Sequence, residues 1–138
     1  VRLKDENGDI ISPFYFLDIA KKSKQYIRLT RRIIKKSFEY FKDKDFESSI
    51  NLTIEDIKNK NLSSFILEKL QELNIASKVV FELVESEGID NFEEVNEFID
   101  KVKELGCKIA IDDFGSGYSN FEYLIKLNAD YIKIIKKL

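Results

Sequence analysis

An α/β protein built on parallel strands is the fold this 138-residue sequence predicts, and two observations predict it. Short apolar runs at 48–53, 78–84, 108–112 and 130–134 read as strands, and helical periodicity fills the intervals between them. Strand and helix then alternate, which joins parallel strands through right-handed crossovers. Each run also carries one polar residue at the same side-chain parity: Asn51, Glu82, Asp112 and Lys133.

The first part of the chain reads as helical. Pro13 suits the opening turn of a helix over 13–22, and Ile27, Ile34, Phe38 and Phe41 fall on one face of a second helix over 25–41. The strand 48–53, a helix over 64–73 and the strand 78–84 follow. The helix 91–105 is the most plainly marked. Phe92, Val95, Phe98, Val102 and Leu105 recur three and four apart, Asp90 and Glu93 have capping-box spacing, and Gly106 supplies the stop. The strand 108–112, a short helix over 120–127 and the strand 130–134 complete the pattern. With one proline, five glycines and no repeat or low-complexity tract, the chain reads as one unit.

Composition narrows the function classes. Lys and Arg number 23 against 25 Asp and Glu, a balance that gives no field for a nucleic-acid polymer. The basic run Arg28, Arg31, Arg32, Lys35 and Lys36 lies on one helix and reads as a solvated face. No apolar run approaches the roughly 18 residues that span a bilayer, and no signal-peptide pattern opens the chain. Cys107 is the only cysteine, so no internal disulfide forms; it reads as a small buried residue at a strand start, and a cytoplasmic location is expected. The chain lacks methionine and opens on Val1-Arg2-Leu3, as a piece of a longer polypeptide would.

Parity divides the strands into two faces. Ile50, Leu52, Phe81, Leu83, Ile109, Ile111, Ile132 and Ile134 form an apolar set that can face helices. Asn51, Glu82, Asp112 and Lys133 hold the opposite face, and in a barrel of parallel strands such positions converge at the carboxyl-end mouth. Asp112 and Asp113 stand together at the end of a buried strand. Adjacent carboxylates are costly to desolvate without a positive partner, and the chain has no histidine to provide one. A hard cation is the natural partner, with Asn51 adding a neutral amide oxygen. Lys133 shares the face as a catalytic candidate, and Glu85 is either a second acid behind Glu82 or a loop residue. Gly115-Ser116-Gly117 lacks the Gly-Lys-Ser/Thr of a phosphate loop, and Asn120 stands where a dinucleotide fingerprint needs its third glycine. These glycines instead let the backbone turn after Asp113. Without histidine, no His-based zinc site, His-assisted nucleophile or Cys-His pair forms from these residues.

The segments I-N-L-T at 50–53, F-E-L-V-E-S at 81–86, I-D-D-F-G-S-G-Y-S-N at 111–120 and Y-I-K-I at 131–134 resemble the EAL domain. That family comprises bacterial phosphodiesterases that hydrolyse cyclic di-GMP to linear pGpG. The resemblance implies a modified TIM barrel, here incomplete with about four parallel strands, and two Mg²⁺ or Mn²⁺ ions beneath cyclic di-GMP. It assigns Asn51, Glu82 and Asp112 as metal ligands and Asp113 as the acid serving the second metal. Lys133 becomes the lysine beside the attacking water, Arg2 a contact to a substrate phosphate, and Glu85 the support of the D-D-F-G-x-G loop. A homodimer is expected, both from the resemblance and from unpaired strand edges. A cyclase-type (GGDEF) or sensor domain is expected elsewhere in a parent chain, as is any membrane tether.

Three departures accompany the resemblance. The Glu-x-Leu signature would lie just before Val1, and the later barrel strands would lie beyond Leu138, since such a barrel runs about 250 residues. The family continuation I-K-I-D-G-S is also replaced by Ile134-Ile135-Lys136-Lys137, as though residues were missing after Ile134. Residues 1–138 are therefore expected to be a partial EAL domain. The alternative is a catalytically inactive EAL-like cyclic di-GMP sensor or protein-interaction module.

Overall fold

Turn chemistry opens the chain. Asp5 Oδ1 accepts hydrogen bonds from the amides of Asn7 (2.9 Å) and Asp9 (2.8 Å), and Gly8 takes φ +86°, a conformation that side chains resist. This turn pairs β1 (Leu3–Lys4) antiparallel with β2 (Ile10–Ile11). The expectation of a wholly helical opening is corrected here: strands of two residues are too short to show a side-chain period. The structure is a computed structural model and describes residues 2–84, 92–114 and 121–134.

Helices follow where periodicity places them. Pro13 sits in the first turn of α1 (Pro13–Lys22), and α2 (Tyr26–Phe41) buries Thr30, Ile34 and Phe38. β3 (Ser48–Leu52) ends at Thr53, which caps a helix the sequence did not announce, α3 (Ile54–Lys58). Asn59 then accepts from the Leu62 amide at 3.0 Å, so α4 (Lys60–Leu73) begins a turn earlier than its apolar pattern. A short 3₁₀ turn leads into β4 (Val79–Val84). α5 (Phe92–Glu104) stops at Gly106, whose φ of +112° suits a helix end. β5 (Lys108–Phe114), α6 (Phe121–Lys126) and β6 (Tyr131–Ile134) close the chain's described part.

The second sheet has the order β3-β4-β5-β6 with every pairing parallel, as strand–helix alternation requires. Ile50, Leu52, Phe81, Leu83, Ile109 and Ile111 form the buried face against α2, α4 and α5, with Ile34, Phe38, Leu62, Ile66, Val95 and Phe98 opposite. Ile132 and Ile134 do not join it. They are 46% and 78% exposed, because β6 is the sheet edge and pairs only with β5 among the described residues. The capping role of Asp90 and the turn at Gly115 and Gly117 lie outside the described residues. No helix is long and apolar enough to cross a membrane among the described residues.

Candidate active site

The strand register aligns the polar face. Asn51 stands directly opposite Glu82, and Glu82 opposite Ala110, so Asp112 lies one step further along the same face of β5. Asn51 is exposed, Asp112 is half-buried and Glu82 is 6% exposed. Lys133, from the next strand, places its Nζ 2.5 Å from Glu82 Oε1. To do so its side chain crosses over β5 at the level of Ala110, which pairs with Glu82 on one side and Tyr131 on the other. Ala110, 2% exposed, presents only a methyl group there. Ser49, two residues before Asn51 on the same face, donates a second hydrogen bond to Glu82.

The two aspartates do not act alike. Asp113 takes φ +58°, the left-handed conformation that Asp tolerates better than most residues, and is exposed. Its amide donates to Asp112 Oδ1 at 2.9 Å. Ile111 pairs with Ile132 and Phe114 with Ile134, so β5 spends three steps where β6 spends two and bulges at the acid pair. Both carboxylates thus reach the strand tip beside Lys133.

Electrostatics follow from this packing. Burial pushes the Glu82 carboxyl upward, but the hydrogen bonds from Lys133 and Ser49 and the lysine charge outweigh it, and the net movement is below the ordinary range. The Lys133 ammonium is held above its usual value, first by its hydrogen bond to Glu82 and further by the charges of Glu82, Asp112 and Asp113. One cation therefore sits at the focus of three carboxylates.

A separate knot fixes the Asn51 strand tip. The Thr53 amide donates to Asp56 Oδ2 at 2.9 Å, the Asp56 amide donates to Thr53 Oγ1 at 3.1 Å, and Tyr26 donates its phenol to the same Oδ2 at 3.2 Å. Asp56 is 1% exposed, and its Oδ1 has no partner among the described residues. Burial first, then the Asp56 charge and hydrogen bond, raise the Tyr26 phenol above its ordinary value. Tyr26 and Asp56 are 30 positions apart, which hides the contact from any local pattern. Ser49 was legible from its shared parity with Asn51, whereas Ala110 carries no polar group to mark it.

The structure thus brings Asn51, Glu82, Asp112, Asp113 and Lys133 to one end of the sheet. Arg2 is exposed ahead of the hairpin, and Glu85 lies outside the described residues. Among the described residues no three Asp, Glu, His or Cys side chains are grouped tightly enough to hold an ion by themselves. The donor set remains all oxygen, with Asn51 supplying an amide beside two acids, and such donors fit Mg²⁺ or Mn²⁺ by their chemistry.

Known proteins resemble this chain in sequence and in fold. The EAL domain family model matches residues 1–138. The chain belongs to the EAL domain family. Among EAL relatives, cyclic di-GMP phosphodiesterase PdeB of Shewanella oneidensis is 30% identical over 140 residues, covering 97% of this chain and 16% of that protein. Cyclic di-GMP phosphodiesterase PdeF of Escherichia coli is 29% identical, covering 97% of this chain and 19% of that protein. The chain therefore spans less than a fifth of these relatives. Of solved EAL domains, the FimX EAL domain from Pseudomonas aeruginosa bound to c-di-GMP superposes with a TM-score of 0.84 at 22% identity, covering 96% of this chain and 55% of that one. The EAL domain protein from Listeria monocytogenes gives 0.75 at 25% identity, covering 96% and 53%. The four parallel strands and flanking helices are thus part of the TIM-barrel-like EAL fold.

Proposed function

We propose that residues 1–138 form part of an EAL-type phosphodiesterase that hydrolyses cyclic di-GMP to linear pGpG. The observation that carries this reading is the register pairing of Asn51 with Glu82, one step from Asp112, with Lys133 reaching across Ala110 to the same carboxylate. Hydrolysis of the ring needs a water oxygen to form a bond to phosphorus while one bridging P–O bond breaks. Asn51, Glu82 and Asp112 would hold one divalent ion and Asp113 would serve a second; such ions lower the pKa of bound water and neutralise phosphate charge. Lys133, held protonated by Glu82 and the two aspartates, would orient the incoming water through its N–H groups. Arg2 would bind a substrate phosphate, and Glu85 would steady the loop after Asp113. Expected partners are cyclic di-GMP, a second copy of the domain and a cyclase-type or sensor domain in the parent.

The test is hydrolysis of cyclic di-GMP by the parent protein with Mg²⁺ or Mn²⁺, followed by chromatography of pGpG. Glu82→Gln and Asp112→Asn are expected to lower turnover at least ~100-fold, the scale for disturbing a metal site. Unchanged turnover in both variants would overturn the assignment. The rival reading is a catalytically inactive cyclic di-GMP sensor. Tight cyclic di-GMP binding by the parent with no pGpG formed would establish that alternative.

A further inference from the structure

The densest concentration of one charge lies on α2, the turn before it and the end of α1. Eight of the 23 Lys and Arg fall between Lys21 and Lys36, where no Asp or Glu occurs; the other 15 share the chain with 25 acids. A protein of formal net charge −2 is therefore strongly polarised. On α2 itself, Arg28, Arg31, Arg32, Lys35 and Lys36 are all exposed. At the helical repeat they occupy less than half of the circumference, away from buried Thr30, Ile34 and Phe38.

Little inside the molecule balances these cations. Arg31 lies over the Phe65 ring at 4.4 Å, and Lys35 approaches Glu39 at 3.8 Å with both side chains half-exposed. Arg28, Arg32 and Lys36 have no ion pair or hydrogen-bond partner among the described residues. Like charges at these spacings repel, a cost that an outside anion relieves. α1, α4 and β3 all pack against α2, and its five basic residues stay exposed despite them.

We propose that α2 is a docking ridge for an anionic lipid surface. The helix is about 24 Å long at 1.5 Å per residue. Its outward positions offer cations with the exposed Tyr40 ring beside them, and an amphipathic ring of that kind suits the headgroup level of a lipid surface. A plane of anionic headgroups meets such a ridge along one tangent and complements its charge, with Glu39, paired to Lys35, the one acid on the α2 face. The helix is tied at both ends: Tyr26 bonds Asp56 at the carboxyl end of the sheet, and Lys78 Nζ donates to Lys42 O at 3.0 Å at the amino end. Its axis therefore runs along the strands, and a molecule lying on α2 keeps the strand tips open sideways to solvent.

Co-sedimentation of the 138-residue chain with vesicles tests this. Wild type is expected to pellet with phosphatidylglycerol-containing vesicles, not with pure phosphatidylcholine, and to be released near ~1 M salt. The triple variant Arg28→Glu, Arg32→Glu, Lys36→Glu should bind about 100-fold more weakly. A control of equal charge change, Lys4→Glu, Lys58→Glu, Lys60→Glu, should stay close to wild type, with circular dichroism verifying the fold of both. Equal loss in the two triples, or no wild-type binding to anionic vesicles, would overturn the proposal. So would salt-sensitive retention on duplex DNA or polyglutamate with none on vesicles, which would give the ridge a different partner.

Discussion

Glu82 shows how a single contact sets the sign of a residue's contribution. Burial alone would raise its carboxyl pKa, yet Lys133 and Ser49 bring it below the ordinary range. The folded state therefore prefers the ionised form: its contribution is complete above the unfolded value of about 4.3 and is lost as pH falls through the depressed folded value. Lys133 behaves in mirror image, contributing fully below its unfolded value and losing that contribution as pH rises through its raised one. Removing the lysine should flatten the acid limb. In Lys133→Met, burial outweighs Ser49, so protonation of Glu82 favours folding and the variant should lose less stability than wild type as pH falls from 7 towards the unfolded carboxylate value. Urea midpoints across that range, in chelator-treated protein, check it; parallel curves for wild type and variant would contradict it. The two residues were visible in the sequence as same-parity polar groups. Their direct pairing was not, because parity counts polar positions and ignores the small residue, Ala110, that stands between them.

At the scale of elements, the legible parts were those with a period. The helix around Val95, Phe98 and Val102 and the parallel register of Ile50, Phe81 and Ile109 follow from spacing alone. The hairpin and α3 do not, since two and five residues are shorter than the window in which a period shows. α3 exists through its cap. Thr53→Ala should cost about 1 kcal/mol and Asp56→Ala about 2 kcal/mol, since Asp56 also serves the Tyr26 phenol. Because both residues belong to one reciprocal box, the double variant should cost less than the two single losses together. Additive losses in thermal or urea unfolding would mean that the box does not act as a unit.

At the scale of the molecule, both margins of the open sheet are apolar. Phe121, Ile125 and Ile134 are 74%, 79% and 78% exposed near β6, and Phe14 is 83% exposed on α1 at the opposite side. Surfaces of this kind are covered in stable assemblies. The 138-residue chain should therefore self-associate, with light scattering after size exclusion reporting a mass above that of the monomer. Ile125→Lys with Ile134→Lys should shift it towards monomer without loss of helix signal. A monomer in wild type would show that these margins tolerate water. Cys107, buried at the start of β5 with its thiol pushed up to about 12, will not add disulfide-linked species to that measurement.

The bulge in β5 has a consequence for how the acid pair can change. With Asp113 looped out at positive φ, Phe114 returns to the phase of Ile111 and packs against the core. Excising Asp113 would leave the alternation of Ile111, Asp112 and Phe114 regular. The second carboxylate is thus an addition to an already complete ladder, free to be gained or lost without re-threading the strand.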